Sequence, residues 1–453
     1  MKQITQFEQQ NILILGLAKS GFAAAKLLKK LGATITVNDG APLEGNEAAQ
    51  SLLDDGFEVI CGSHPLELLE RPFDLIVKNP GIPYTNPIVE RAEALDIPVW
   101  TEIELAYLIS EAPIIAITGS NGKTTTTTLL YHILNVGQKN PLIAGNIGTV
   151  SCTVAEEAKA DDIIVLEASS FQLMGTENFK PKVSILTNLY DAHLDYHGCF
   201  EAYSEAKANI TLHQDEEDYF IYNADQQVVR EIAERTKAKK IPFSTNGKTL
   251  NGISADDELI YWNGEVILER KFIKLPGQHN LENILSAVAA AKLFNCEDAV
   301  IEEILSSFTG VKHRMQFVKE HHGRKYYNDS KATNTLATKS ALSAFTVPTI
   351  LIAGGLDRGQ SFEELRDNMA YVKAVVAVGE TKEKFLAFAK SCGIDNAVLA
   401  NSMEEAVAIA QSYALPEEVV LLSPASASWD EYPSFEIRGD RFIEAVQNVT
   451  RDE

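Results

Sequence analysis

Short apolar runs alternate with helix-patterned stretches along the chain, the rhythm of strands joined by crossover helices in a parallel sheet. Residues 11–16 (NILILG) are the first run, followed by a helix pattern over 22–31 and a second run at 34–37. The run at 73–77 repeats the pattern before Asn79-Pro80-Gly81, a turn by composition. A second series opens at 113–118 (PIIAIT) and passes through a glycine loop at 119–124 into a long helix. It adds buried strands at 163–166 and 183–186. The texture changes at 258–273, where Asn263-Gly264 separates two alternating runs and predicts a hairpin with a type I′ turn. A helix is expected from 280 to about 293, and runs at 349–353, 374–378 and 419–422 supply a third series. Three α/β units account for the 453 residues: an N-terminal Rossmann-like domain at 1–101, a central phosphate-loop domain at 102–310 and a C-terminal Rossmann-like domain at 311–453.

Composition narrows the partners. Sixty-three Asp and Glu against 40 Lys and Arg leave a formal charge of −23. That balance disfavours nucleic acid and membrane surfaces, which both call for basic patches. No run approaches the roughly 18 apolar residues of a membrane span, and the polar start MKQITQFEQQN lacks the apolar stretch of a signal peptide. The five cysteines (61, 152, 199, 296 and 392) show neither metal-site nor disulfide spacing, so a reducing cytoplasm is expected.

The strongest chemical signal is Thr118-Gly119-Ser120-Asn121-Gly122-Lys123-Thr124-Thr125, set between a strand and a helix. Backbone N–H groups of such a loop, with the helix N-terminus, make an anion cradle that glycines permit by tolerating positive φ. Lys123 then reaches the β- and γ-phosphates and the Thr124 hydroxyl ligates Mg²⁺. The GxxGKT spacing is shorter than the general GxxxxGK[ST] pattern, and a glycine turn with a surface lysine is the alternative. A second glycine loop, Gly16-Leu17-Ala18-Lys19-Ser20-Gly21, follows the first strand, with Asp39 at the end of the next one. Ala18 replaces the middle glycine of a dinucleotide fingerprint, so a different nucleotide or a structural turn stands beside a nicotinamide cofactor. Glu167 directly follows the strand at 163–166, where a carboxylate can approach metal held at a phosphate loop, or simply be solvated. Asp191, His193 and Asp195 cluster past the strand at 183–186; a lone histidine there is by default a structural hydrogen-bonder, and Lys207 a surface residue.

Taken together, TGSNGKTT, AGNIG, LEASSFQL, NLYDAHLD, GQHNLEN, HRMQ, NDSKATN and LLSPASASWD resemble the Mur ligase family along essentially the whole chain. NDSKATN and SPASAS resemble its D-glutamate-adding branch. The resemblance implies three α/β domains binding, in order, a UDP-sugar, ATP and the incoming amino acid. It implies ATP and Mg²⁺ as cofactors and formation of an acyl phosphate on UDP-N-acetylmuramoyl-L-alanine. D-glutamate then attacks. Apart from the resemblance, the chain is expected to be a monomer in the cytoplasm. By motif, Glu167 and His193 become metal ligands with Thr124, and Lys207 the family's carbamylated lysine. Asn146 corresponds to a phosphate or substrate contact, Asn280 and Asn283 to residues near the adenine, and Asp39 and Asn79 to the UDP pocket. Asp329 and Lys331 correspond to the nucleotide- and phosphate-facing pair, and His313 and Arg314 to closure and substrate residues. Thr333, Ser428 and Phe435 correspond to D-glutamate contacts. Arg358, in GGLDRGQSF, stands where some members have lysine to meet the glutamate side chain, and GLAKSG also departs from the family's Thr-Gly-type turn. A sister ligase, a phosphate-loop switch protein and a nicotinamide dehydrogenase are the competing readings.

Overall fold

The computed structural model describes residues 1–249 and 251–451; residues 452 and 453 of the third expected domain lie outside the described residues. Asn11–Leu15 and Leu75–Lys78, buried almost throughout, pair in parallel at the centre of a five-stranded sheet. Its order is Glu58–Cys61, Thr34–Asp39, Asn11–Leu15, Leu75–Lys78, Val99–Trp100, all parallel. The chain reverses its direction of strand addition beside Asn11–Leu15, which opens a crevice at the strands' carboxyl ends.

The second sheet has nine strands. From one edge they run Glu265–Glu269, Leu259–Trp262, Ile253–Ala255, Lys239–Ser244, Tyr219–Asn223, Val183–Leu186, Ile114–Thr118, Ile163–Glu167 and Pro141–Gly145. The expected hairpin is present: Asn263 and Gly264 have φ of +49° and +82°, the pair of positive values a type I′ turn requires. Register places the chemistry. Ile117 pairs with Glu167 on one side, and Thr118 with Leu186 on the other, so three strands end at one level.

The third sheet orders Gln316–His321, Arg324–Asn328, Val419–Leu422, Thr349–Gly354, Val372–Val378 and Ala397–Leu399, parallel but for the first pair. Apolar clusters fill both its faces, one around Leu351, Val375 and Phe385 and one around Ile352, Val376 and Phe442.

Contacts divide the chain into two compact units, Met1–Phe272 with Leu281–Ile304, and Ile273–Asn280 with Leu305–Glu453. The first holds two sheets because they share one core: Ile12 and Val37 belong to the same buried cluster as Ile114, Leu166 and Phe179. Helix Glu102–Ile109, which buries Ile103, Leu105, Ala106 and Ile109 together with Glu102 and Glu104, packs against Ser151–Glu157 and joins them. In the second unit, Lys274 N–H donates to Leu305 O at 3.1 Å, which draws residues 273–280 into it ahead of the expected division near 310. All five cysteines are free thiols, and among the described residues no helix is long and apolar enough to cross a membrane.

Candidate active site

The loop at 119–124 leaves the buried strand Ile114–Thr118 and enters the helix Lys123–Val136. Gly119 and Gly122 take φ of +150° and +82°. A Cβ at Gly119 would overlap Thr187 Oγ1, and one at Gly122 would overlap Asn283 Oδ1, so both sites demand glycine for space as well as for backbone angle. The strand-end segment after Leu186 fixes the loop. Asn188 accepts from Asn121 N–H through its side chain (2.8 Å) and from Ser120 N–H through its carbonyl (2.9 Å). Thr187 Oγ1 donates to Asn121 O at 2.7 Å, and Ser120 Oγ bonds Tyr203 OH at 2.9 Å. Lys123 Nζ curls over the loop, donating to Gly119 O (2.8 Å) and Ser120 O (3.1 Å). Thr124, half-buried, and Thr125, buried, occupy the first turn of the helix.

Glu167 is the last residue of its strand rather than the first beyond it. It is 1% exposed; Oε1 accepts from Asn146 Nδ2 at 2.8 Å, while buried Oε2 has no hydrogen-bond partner. Lys207, from helix Phe200–Ala208, is also fully buried, with Nζ 3.3 Å from Thr118 Oγ1 and 4.9 Å from the Tyr203 ring centroid. Burial, reinforced by the Lys123 charge and opposed by Glu167, pushes its ammonium well below the usual lysine range. His193 is exposed, in left-handed backbone (φ +54°), with its ring edge-on to Phe171 at 5.0 Å. The Asp195 side chain lies outside the described residues. Among the described residues no three His, Cys, Asp or Glu side chains form a metal cluster. The donor set suits a hard cation when Lys207 carries an oxygen donor to complement the uncommitted Glu167 oxygen.

In the first sheet, Asp39 Oδ2 accepts from Leu17 N–H (2.6 Å) and Oδ1 from Ala41 N–H (2.8 Å). Asn79 Nδ2 donates to Ser20 Oγ at 2.9 Å, which gives the departing residue of GLAKSG a defined partner. The crevice therefore contains both expected pocket residues. Sequence reasoning missed what lies beneath: Lys78, 1% exposed, donates to Ile82 O at 2.9 Å, and Tyr196 OH donates to the same carbonyl at 3.0 Å. Burial lowers the Lys78 pKa to about 8. Tyr203, touching both Ser120 and Lys207, was also missed, since an aromatic at helical spacing reads as core.

Asn280 is buried and donates to Pro276 O at 2.6 Å; Asn283 sits one turn on in the same helix, against Gly122.

The remaining residues gather at the carboxyl end of the third sheet. His313 is buried, its Nδ1 3.0 Å from Asn328 Nδ2, and its carbonyl accepts from Lys331 N–H at 2.9 Å. That geometry makes it a support for the Lys331 loop. Asp329 accepts from Ser423 Oγ (2.9 Å) and Met315 N–H (3.1 Å), and burial pushes it up to about 7 against those bonds and the Arg314 charge. Lys331 Nζ stands 3.9 Å from the Phe435 ring centroid. Thr333 N–H closes the loop on Lys331 O at 2.8 Å. Ser428 is 1% exposed with an unpartnered hydroxyl, a donor held ready for a ligand. Arg358 is exposed on a neighbouring loop. The missed residue here is Arg438, 1% exposed, whose guanidinium binds Ser330 Oγ and O, Ser426 O and Ala427 O, holding the NDSKATN and SPASAS loops together.

A parallel-sheet core with a glycine phosphate loop and a buried carboxylate at adjoining strand ends, and a buried lysine brought in from a helix, defines a phosphate-loop enzyme. Family profiles make the class particular: residues 10–101 match the Mur ligase MurD-like N-terminal domain, 117–291 the Mur ligase middle domain and 313–426 the Mur ligase glutamate ligase domain. The chain belongs to the Mur ligase family. A UDP-N-acetylmuramoylalanine--D-glutamate ligase of Geobacillus sp. (strain WCH70) is 55% identical over 450 residues, covering 99% of this chain and 100% of that protein. One of the same name from Bacillus cereus (strain G9842) is 53% identical over 449 residues, covering 99% and 100%. Among solved structures, UDP-N-acetylmuramate-alanine ligase MurC of Thermotoga maritima shares the fold at a TM-score of 0.57 and 20% identity, covering 97% of this chain and 100% of that one. MurF ligase from Thermotoga maritima, in complex with ADP, does so at 0.57 and 16%, covering 98% and 96%.

Proposed function

We propose that this chain is the cytoplasmic, monomeric ligase that joins D-glutamate to UDP-N-acetylmuramoyl-L-alanine at the expense of ATP, in peptidoglycan precursor synthesis. The observation that carries the reading is the uncommitted, buried Glu167 oxygen beside Lys207 and the phosphate loop. In this reading the domains at 1–101, 102–310 and 311–453 take UDP-sugar, ATP and amino acid respectively. Asp39 and Asn79 line the UDP crevice, and residues 119–125 with Asn280, Asn283, Arg314 and Asp329 hold the nucleotide. The substrate carboxylate attacks the γ-phosphate, ADP leaves, and the acyl phosphate then meets the amine of D-glutamate. A tetrahedral adduct collapses to amide and inorganic phosphate. Carboxylate and triphosphate repel one another, so the chain must bring cations to both: Lys123 from the loop and Lys331 from the third sheet. Thr124, Glu167, His193 and a carbamylated Lys207 would hold Mg²⁺, which when bound would supply further charge neutralisation. Asn146 orients Glu167 and faces the substrate. Thr333, Ser428, Phe435 and Arg358 position D-glutamate, Ser428 through its unpartnered hydroxyl.

Phosphate release from ATP, measured with UDP-N-acetylmuramoyl-L-alanine and a panel of D- and L-amino acids, tests this. Release is expected with D-glutamate; release with L-lysine or meso-diaminopimelate and none with D-glutamate overturns it. The loop is tested separately by Gly119→Ala, whose Cβ must displace Thr187. Titration calorimetry with ADP should show affinity lowered by about tenfold or more, because an L-residue is strained at that φ and the cradle opens. Unchanged ADP affinity would remove the loop from nucleotide binding.

A further inference from the structure

Trp429 is 65% exposed, the highest value among the described large apolar side chains. Core packing therefore does not explain it. It directly follows Ser428, whose buried hydroxyl is unpartnered. Its indole carries the Arg358 guanidinium, with Cζ 4.7 Å from the ring centroid. Arg358 comes from a different loop, after the strand Thr349–Gly354, and the two loops are laced together. Leu356 N–H donates to Ala427 O at 2.9 Å and Gln360 Nε2 to Ser426 Oγ at 2.9 Å. Arg358 N–H donates to Gln360 Oε1 at 2.7 Å, so the backbone under the guanidinium is held as well. Among the described residues no carboxylate pairs with Arg358, in a chain with a formal charge of −23. Arg358 is exposed and its aromatic partner directly follows Ser428 in the chain, so a cation is held on the loop that carries the unpartnered hydroxyl.

We propose that Trp429 is a positioning and specificity-determining residue: stacked against Arg358, its indole fixes the guanidinium plane that receives the distal carboxylate of the incoming amino acid. This rests on the reading of the third sheet as the D-glutamate site. A guanidinium is planar and stacks on an aromatic face while leaving its edge free for a bidentate carboxylate. Without the platform, Arg358 is a long exposed side chain that must be ordered each time substrate binds, and that ordering is charged against affinity. The pair also sets a reach. A distal carboxylate one methylene short falls away from a guanidinium that cannot follow it, so aspartate is discriminated against.

A double-mutant cycle on the full-length enzyme tests it, with Trp429→Ala, Arg358→Ala and the double variant, and with Trp429→Phe as the conservative variant. Trp429→Ala should raise the KM for D-glutamate by about two- to fivefold, the worth of an exposed cation–π contact. kcat and the KM values for ATP and the UDP-sugar should hold, and Trp429→Phe should restore most of the loss. In the Arg358→Ala background, Trp429→Ala should add nothing. If Arg358→Ala raises the D-glutamate KM while Trp429→Ala leaves it alone, or if the two effects simply multiply, the pair is overturned and the site reading stands. If Arg358→Ala leaves the D-glutamate KM unchanged, the assignment of Arg358 to the amino acid falls, and this proposal falls with it.

Discussion

Lys207→Arg will lose ligase activity by about a hundred- to a thousandfold, the usual cost of removing one preorganised charge stabiliser from a reacting site. The side chain is 2% exposed and its one described hydrogen bond, to Thr118 Oγ1, is long at 3.3 Å. An ammonium so placed has exchanged its hydration for little, and burial with the Lys123 charge lowers its pKa well below the usual lysine range against the pull of Glu167. A neutral amine can add CO₂ and become an anionic oxygen donor; a guanidinium stays charged and cannot. Steady-state ligation is the primary measurement. A carbamate resonance from ¹³C-labelled CO₂, present in the parent enzyme and missing from the variant, links the loss to chemistry rather than bulk. Lys207→Met, close in shape and neutral, should be equally inactive while still binding ADP. Normal turnover by Lys207→Arg would end the carbamate role.

Arg438→Met should lower stability by roughly 3–5 kcal/mol, the range for removing one partner from a buried charged network. This guanidinium donates four hydrogen bonds, three of them to carbonyls; without it Ser330 O and Ser426 O lose their described side-chain donor, while Ala427 O keeps only Leu356 N–H. Ser330 in turn donates to Phe435 O at 2.8 Å, so the loosened set reaches the segment proposed to contact D-glutamate. Burial lowers the Arg438 pKa only to about 10, which leaves it charged at neutral pH. Urea unfolding should show an earlier midpoint, and the KM for D-glutamate should rise in the folded variant. Arg438→Lys should recover little, because one ammonium cannot serve two loops from one plane. An unchanged midpoint would mean that water replaces the guanidinium without loss.

These two residues mark where reading the sequence succeeds and stops. The phosphate loop was legible because glycine spacing between an apolar run and a helix pattern is itself the mechanism. Val183–Leu186 and Val419–Leu422 coincide with their apolar runs because central parallel strands are buried on both faces. Pro141–Gly145 was hidden by its proline and glycine, which an edge strand tolerates. Gln316–His321 and Arg324–Asn328 were hidden by their polarity, as the outer pair of their sheet. Lys207 and Arg438 lie on helices where a charged residue reads as solvated. Only family resemblance singled out Lys207, and nothing singled out Arg438. Burial is a tertiary property, and helical periodicity does not encode which charge is enclosed.

The carbonyl of Ile82, accepting from Lys78 at the end of a first-sheet strand and from Tyr196 in the short helix Leu194–His197, bears on how this protein can be divided. A cut near residue 101 leaves the Ile82 carbonyl with Lys78 as its one side-chain donor, and leaves Tyr196 without that acceptor. Recombining the halves, or grafting a foreign first sheet onto this phosphate-loop sheet, must rebuild that junction. In modular terms the first two sheets form a single cassette, and exchange between related ligases is easier at the third.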